Sequence, residues 1–196
     1  IENRFNLLGW FLDSRKYNIG VISGGYKTID PKKIEIVNES STPDNVGDES
    51  ILIANRTNAV LCKSKNRKKA YEHLVKNFNL DIIISDDGLT HYGLTRDINI
   101  VIVKENKPFG NGLPIPSGPL RELPYNIEKY DNIVFNKSIN SDLPGFYYEI
   151  SKLISFNDAK ERNISSFKNT KIHLVTAIAN PDFLIRSLED LNIVVI

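Results

Sequence analysis

The sequence contains no methionine and a single cysteine, Cys62, in 196 residues. One cysteine excludes an internal disulfide, so a reducing compartment is the default expectation. Because even an initiator methionine is lacking, we expect the chain to be a segment of a longer gene product or a processed one. No apolar run approaches the roughly 18 residues that cross a bilayer. The net charge of +1 gives no indication of nucleic-acid binding, and we expect no nucleic-acid partner.

A phosphate-binding P-loop is also missing from these residues. Its pattern, G-x-x-x-x-G-K-[ST], requires a glycine followed by a lysine. No glycine in the sequence is followed by lysine. The usual cradle for a triphosphate is therefore excluded within this chain.

The composition is that of a globular protein, with 41% hydrophobic and 25% charged residues. Short, β-branched apolar runs alternate with helical patterns, which predicts an α/β fold with a mostly parallel sheet flanked by helices. Residues 28–50 are expected to be mostly loop and residues 107–124 irregular, and turn residues cluster near 139–145, where we place a domain boundary. The predicted strands are 17–23, 58–62, 81–85, 98–103, 131–135, 172–176 and 192–196. The predicted helices are 5–12, 51–55, 66–78, 146–154 and 180–191.

Asp86 and Asp87 directly follow the apolar run 81–85, which we expect to be buried on both faces. Open parallel sheets bind ligands outside the carboxyl ends of their strands. Mg²⁺ takes one or two carboxylates, keeps several waters and binds substrate phosphates, so this pair is a candidate magnesium site. In the alternative interpretation, one aspartate caps the next turn and the other is solvated.

Two further segments carry candidate polar groups. Asp48 and Glu49 stand at a predicted helix start, where Asp48 is either a cap or, in the functional interpretation, a base or metal ligand. Arg121 lies in a long loop rich in glycine and proline and could hold a phosphate. The alternative for that loop is a structured surface segment with an Arg–Glu pair.

Several motifs occur together in one order. They are SGGY at 23–26, VGDE at 46–49, DDGLTHY at 86–92, RDI at 96–98, FGNG at 109–112, PSGPLRE at 116–122 and AIANPDF at 177–183. The chain resembles the tetraacyldisaccharide 4'-kinase family, the kinases of lipid A precursors, over nearly its whole length. One departure from the family pattern is Gly24, which stands where the family usually carries arginine.

The resemblance implies a P-loop kinase relative at the cytoplasmic face of the bacterial inner membrane, in contact with the membrane surface. Its implied activity is transfer of the ATP γ-phosphate, with Mg²⁺, to the 4'-hydroxyl of a lipid A disaccharide precursor. It also implies an α/β/α kinase-like domain over residues 1–140 and a linker with part of a second, smaller α/β domain over 141–196. The family's P-loop and its Asp-His-His element, which holds the histidine partner of Asp48, correspond to segments outside these residues.

The same resemblance assigns roles to individual positions. Asp86 and Asp87 correspond to metal-binding acids. Catalytic roles are implied for Asp48, Asp87, Arg121 and Glu122. Substrate-binding roles are implied for Tyr26, Glu49, Arg67, His91 and Asn111. Two alternatives stay open, namely a non-catalytic remnant of the same fold and a Mg²⁺-dependent phosphohydrolase that uses Asp86 and Asp87.

Overall fold

A computed structural model describes residues 16–26, 28–106, 108–137, 141–147, 150, 152–177 and 181–196. The chain divides into two compact units, Ile1–Asn99 and Ile100–Ile196. The boundary predicted near residue 140 falls inside the second unit, and the assignment of 1–140 and 141–196 to two domains stays a prediction. The helix predicted over 5–12 lies outside the described residues. Within the described ranges, no helix is both long enough and apolar enough to span a membrane.

The first unit is built on a four-stranded sheet, among the residues described. Its strands are β1 (Ile19–Ser23), β2 (Glu35–Ile36), β3 (Val60–Lys63) and β4 (Ile82–Ser85), in the order β2-β3-β1-β4. β3, β1 and β4 are parallel, and only β2 pairs antiparallel. The strands predicted over 17–23, 58–62 and 81–85 are confirmed. β4 is half-buried, whereas the sequence predicted burial on both faces; the fully buried strand is the central β1.

Helices cover both faces of this sheet. They are α1 (Pro43–Val46), α2 (Asp48–Arg56) and α3 (Arg67–Asn77). Ile53 of α2 packs with Val21, whereas Leu74 of α3 packs with Ile22. Because successive side chains of a strand point to opposite faces, α2 and α3 lie on opposite sides of β1.

The local sequence explains where these helices begin. The side chain of Asn66 caps α3 by accepting a hydrogen bond from the backbone N–H of Lys69 at 3.1 Å. The helix predicted over 51–55 is confirmed as part of α2, which begins at Asp48, where the sequence predicts a helix start, and its N-cap residue is Gly47. Residues 28–50 were expected to be mostly loop, but they also form β2 and α1. Burial raises the pKa of the Cys62 thiol to about 11, so this thiol is protonated at neutral pH and packs as an apolar side chain.

The second unit begins with a parallel sheet. β5 (Ile100–Lys104), β6 (Asn132–Asn136) and β7 (Gly145–Phe146) follow in that order, and a 3-10 helix (Pro124–Lys129) precedes β6. Two strand predictions, 98–103 and 131–135, are thereby confirmed. The helix predicted over 146–154 is wrong, because Phe146 pairs with Asn136 in the sheet and β8 (Leu153–Ile154) pairs antiparallel with β9 (Glu161–Arg162). Tertiary pairing overrides the weak helical pattern of this segment.

The chain ends in a short strand–helix–strand element. After a 3-10 helix (Ile164–Phe167), β10 (Lys171–Ile172) leads to α4 (Asp182–Asp190) and back to β11 (Val194–Val195). β10 and β11 are parallel. β10 is shorter than the predicted strand 172–176, while the predicted helix 180–191 and strand 192–196 are confirmed. Taken together, the two units confirm the α/β class with mostly parallel sheets and flanking helices.

Candidate active site

The carboxyl ends of three parallel strands meet at one edge of the first unit's sheet. The strand register pairs Ser23 with Lys63 and Ile22 with Ser85. The segments that leave β1, β3 and β4 therefore start side by side. We call this region the carboxyl edge, made of residues 23–26, 47–50, 63–67 and 85–88. Ligands of open parallel sheets bind at such edges.

The turn after β1 requires glycine at one position. Gly25 has a φ of +60°, and a Cβ there would lie 2.4 Å from Cε of Lys63. Lys63 is 1% exposed, and its Nζ donates to the carbonyl of Asp30 at 2.5 Å. The buried lysine thus passes beneath the turn and ties it to the loop that follows.

The start of α2 is fixed to β1 by a buried hydrogen bond. The hydroxyl of Ser50 donates to the hydroxyl of Ser23 at 3.0 Å. Gly47 has a φ of +88°, and a Cβ there would lie 3.5 Å from the carbonyl oxygen of Tyr26. Asp48 and Glu49 occupy the exposed first turn of α2. Asp48 is the first helical residue and Gly47 is the N-cap, so Asp48 lies at the helix start as predicted, where its negative charge is favourable to the helix dipole.

The Asp86–Asp87 pair leaves β4 directly. The N–H of Asp86 donates to the carbonyl of Ile22 at 3.0 Å, so Asp86 still belongs to the sheet. Asp87 has a φ of +51°, and its side chain is exposed while that of Asp86 is half-buried. Burial raises the pKa of the Asp86 carboxyl above its ordinary value, the negative charge of Glu49 raises it further, and Arg67 opposes the rise. The carboxylates of Glu49 and Asp86 therefore repel each other across the edge.

Arg67 is the cation of this site. It is 5% exposed, and its Nη2 donates to the backbone carbonyl of Asp86 at 2.6 Å. Its Nε and Nη1 are buried and have no hydrogen-bond partner among the described residues. Burial lowers the pKa of the guanidinium, and the charges of Asp86 and Asp87 raise it. A Cβ at Gly24 would lie 3.1 Å from Nη2, so glycine at this position leaves room for the guanidinium.

The turn beyond Asp87 is held by a second arginine. Nη1 of Arg96 donates to the carbonyls of Gly88 at 3.0 Å and His91 at 3.2 Å, and its Nε donates to Oδ1 of Asn99 at 2.7 Å. The N–H of His91 donates to the carbonyl of Gly88 at 3.0 Å. His91 is half-exposed beside the acidic pair. Tyr26 is 80% exposed.

The donor set suits a hard divalent cation. Two adjacent carboxylates with a third nearby, and a raised pKa at Asp86, describe negative charge that a cation would neutralise. Among the described residues, no group of three or more His, Cys, Asp or Glu side chains converges on one point. A metal ion bound by these residues would therefore have one or two carboxylate ligands and would complete its coordination with water.

The remaining predicted residues belong to the second unit. The side-chain amide of Asn111 donates to the carbonyl of Ser117 at 2.9 Å, and its Oδ1 accepts from the N–H of Leu113 at 3.1 Å. A Cβ at Gly118 would overlap that Oδ1, so the glycine is required there. Hydrogen bonds within the loop 108–123 therefore order this segment, and the choice between its functional and structural interpretations stays open.

Glu122 is half-buried and accepts hydrogen bonds. The hydroxyl of Tyr130 donates to its Oε2 at 2.8 Å, and the side-chain amide of Asn126 donates to the same oxygen at 3.4 Å. Arg121 is exposed. The catalytic roles of Arg121 and Glu122 and the substrate-binding role of Asn111 stay predictions.

The carboxyl edge thus brings together Glu49, Arg67, Asp86 and Asp87. Asp48 precedes Glu49 in the first turn of α2, and Tyr26 and His91 lie on segments that border the edge. The sequence analysis missed the structural roles of Lys63, Ser23 and Ser50, whose buried side chains hold the backbone of the carboxyl edge through hydrogen bonds. A lysine that directly follows buried strand residues was the one sequence feature that could have indicated Lys63.

Comparison with known proteins extends this description. The family model described as tetraacyldisaccharide-1-P 4'-kinase (LpxK) matches residues 6–196. The chain belongs to this family. It is 37% identical over 183 residues to the tetraacyldisaccharide 4'-kinase of Haemophilus influenzae, covering 93% of this chain and 54% of that protein. It is 34% identical over 181 residues to that of Coxiella burnetii, covering 92% of this chain and 53% of that protein.

The chain therefore spans about half the length of the curated 4'-kinases that it matches. A solved structure also matches. It is a crystal structure of the "apo" form of LpxK from Aquifex aeolicus in complex with ATP, with a TM-score of 0.70 and 21% sequence identity. The match covers the whole of this chain and 66% of that one. At that identity the likeness shows the fold alone.

Proposed function

We propose that the protein carrying this chain transfers the γ-phosphate of ATP to the 4'-hydroxyl of tetraacyldisaccharide 1-phosphate, a step of lipid A biosynthesis. The carboxyl edge carries this proposal. In a chain that belongs to the 4'-kinase family, it places Glu49 close enough to Asp86 for its negative charge to raise the pKa of the Asp86 carboxyl, with Arg67 against the Asp86 backbone. Phosphoryl transfer requires mainly positioning and neutralisation of charge, and this edge offers both.

Asp86 and Asp87 would hold Mg²⁺. When bound, the ion neutralises phosphate oxygens that would otherwise repel these carboxylates. Arg67 orients the pair, because its hydrogen bond to the Asp86 carbonyl fixes the backbone at the point where the chain leaves β4. Ser23 and Ser50 hold the start of α2 against the same edge.

Asp48 is the candidate base. A sugar hydroxyl is a poor nucleophile at neutral pH, and removal of its proton during attack accelerates transfer. Asp48 is exposed at the first turn of α2, next to Glu49, so its carboxylate is accessible to a substrate hydroxyl. Glu49, His91 and Tyr26 would contact the sugar and head-group region, and Asn111, Arg121 and Glu122 keep the roles that the family resemblance implies.

The substrate of this reaction is a lipid, so the proposed protein works at a membrane surface. We place it at the cytoplasmic face of the bacterial inner membrane, where ATP is available.

A kinase assay tests the proposal. The full-length protein is incubated with γ-labelled ATP, Mg²⁺ and tetraacyldisaccharide 1-phosphate, and the label in the lipid product is measured. We expect Asp48→Asn and Asp87→Asn to lower kcat at least about 100-fold, a size typical of lost general-base or electrostatic groups. Asp190→Asn, an exposed acid of α4, serves as the control and should retain the wild-type rate.

The outcomes separate the alternatives. Wild-type rates in both aspartate variants would refute the residue roles. Phosphate release from simple esters with Mg²⁺ and no need for ATP would favour a phosphohydrolase. A full-length protein that neither binds Mg-ATP nor phosphorylates the lipid would be a non-catalytic remnant.

A further inference from the structure

A basic groove lies in the first unit beside the carboxyl edge. It has a volume of about 480 Å³ and is lined by Lys32, Lys65, Asn66 and Lys69. Its walls are held by the backbone. The N–H of Lys65 donates to the carbonyl of Pro31 at 2.6 Å, and the hydroxyl of Ser64 donates to the carbonyl of Lys32 at 3.0 Å. These two bonds hold the backbone segments that carry Lys32 and Lys65 next to each other.

The charge of the groove is uncompensated by the part of the chain that is described. All three lysines are exposed, and none has a carboxylate within 4.0 Å among the described residues. The groove lies at the start of α3, whose first turn has no acidic residue and contains Arg67, Lys68 and Lys69. Cations at a helix N-terminus are unfavourable because the dipole is positive there. Local stability does not explain this arrangement, but an anionic ligand would.

Exposed apolar side chains lie on the same loop. Tyr26 is 80% exposed and Ile29 is 79% exposed, on the segment that leads to Lys32. Aromatic and aliphatic side chains beside clustered lysines are typical of protein surfaces that contact anionic bilayers. A soluble anion would require the lysines but would leave the exposed Ile29 unexplained.

We propose that this groove docks the protein on the membrane by binding the phosphate groups of anionic phospholipids. Tyr26 and Ile29 enter the head-group region, and the three lysines contact lipid phosphates. Arg67 follows Asn66 directly and reaches the Asp86 carbonyl, so the same helix start joins the groove to the carboxyl edge. The inference rests on the proposed function in one respect, which is the expectation of a lipid substrate. Docking on the membrane would bring that substrate to the carboxyl edge.

Vesicle binding tests the proposal without any need for activity. The full-length protein is sedimented with vesicles of phosphatidylcholine alone or of an equimolar mixture with phosphatidylglycerol. We expect the triple variant Lys32→Gln/Lys65→Gln/Lys69→Gln to need at least about tenfold more mixed lipid for half-saturation, since each lysine near an anionic surface contributes measurably. Added salt should weaken wild-type binding and narrow this difference. A matched triple variant removes three exposed lysines elsewhere: Lys76→Gln, Lys160→Gln and Lys168→Gln.

Each result decides for or against the groove. A loss confined to the groove variant, and recovered when the three residues are arginines, supports it. Equal losses in the two glutamine variants would overturn it, because the binding would then follow net charge alone. It would also be overturned if the groove variant kept vesicle binding but bound tetraacyldisaccharide 1-phosphate in neutral detergent micelles more weakly, since the groove would then be a substrate subsite. Absence of kinase activity with intact, groove-dependent vesicle binding would refute the proposed function and leave this inference standing.

Discussion

Replacement of Gly25 by alanine should destabilise the first unit by about 2.5–5 kcal/mol. An L-residue in the left-handed region costs about 1–2 kcal/mol, and Gly25 has a φ of +60°. The new Cβ would lie 2.4 Å from Cε of Lys63 and 2.8 Å from its Cγ. Carbon atoms prefer separations of about 3.5–4.0 Å, so the buried lysine must move. Its hydrogen bond to the Asp30 carbonyl is then lost, which costs about 1.5–3 kcal/mol for a charged donor.

Urea denaturation followed by circular dichroism measures this effect. Gly93→Ala is the control, because a Cβ there meets nothing within 4 Å, and it should change stability by less than about 0.5 kcal/mol. In a Lys63→Ala background the Gly25→Ala change should cost only the backbone strain, about 1–2 kcal/mol. An equal cost of Gly25→Ala in the wild-type and Lys63→Ala backgrounds would refute the reasoning, because the turn would then not depend on the lysine beneath it.

Three further predictions concern the same edge. In the presence of a chelator, Asp86→Asn should raise the free energy of unfolding at neutral pH, because the raised pKa of Asp86 means that ionisation disfavours the folded state. As pH falls below the ordinary value of 3.8, wild type should regain the difference, and Mg²⁺ should stabilise wild type but not the variant. Ser50→Ala should cost about 1–3 kcal/mol in urea denaturation, since it leaves the buried Ser23 hydroxyl without its donor. Arg96→Met should lower kcat more than the corresponding control Arg186→Met, because Arg96 holds the turn after Asp87; equal rates would contradict that role.

The sequence predicted the elements with long apolar patterns. The local sequence is enough to predict β1, β3, α3 and α4, because their apolar residues recur at the spacing of a strand or a helix. The two-residue strands β7, β8 and β9 have no such run. They exist because a partner strand offers hydrogen bonds, and sequence periodicity does not contain that information.

The candidate site was also predictable only where a local pattern marks it and not where it depends on tertiary contacts. The position of Asp86 and Asp87 after an apolar strand indicated the sheet edge directly. The approach of Glu49 to Asp86 depends on how α2 is anchored through Ser50 to Ser23, which is a tertiary contact. Local patterns likewise did not show that Arg67 is buried, because basic residues at a helix start are usually solvated.

Binding of a divalent metal tests the central claim most directly. Electron paramagnetic resonance can follow Mn²⁺, in place of Mg²⁺, as it binds to the full-length protein. The account predicts that wild type binds Mn²⁺ and that Asp86→Asn/Asp87→Asn weakens this binding at least about tenfold, whereas Asp190→Asn does not. Equal Mn²⁺ affinity in wild type and in the double variant would contradict a metal site at this edge of the sheet.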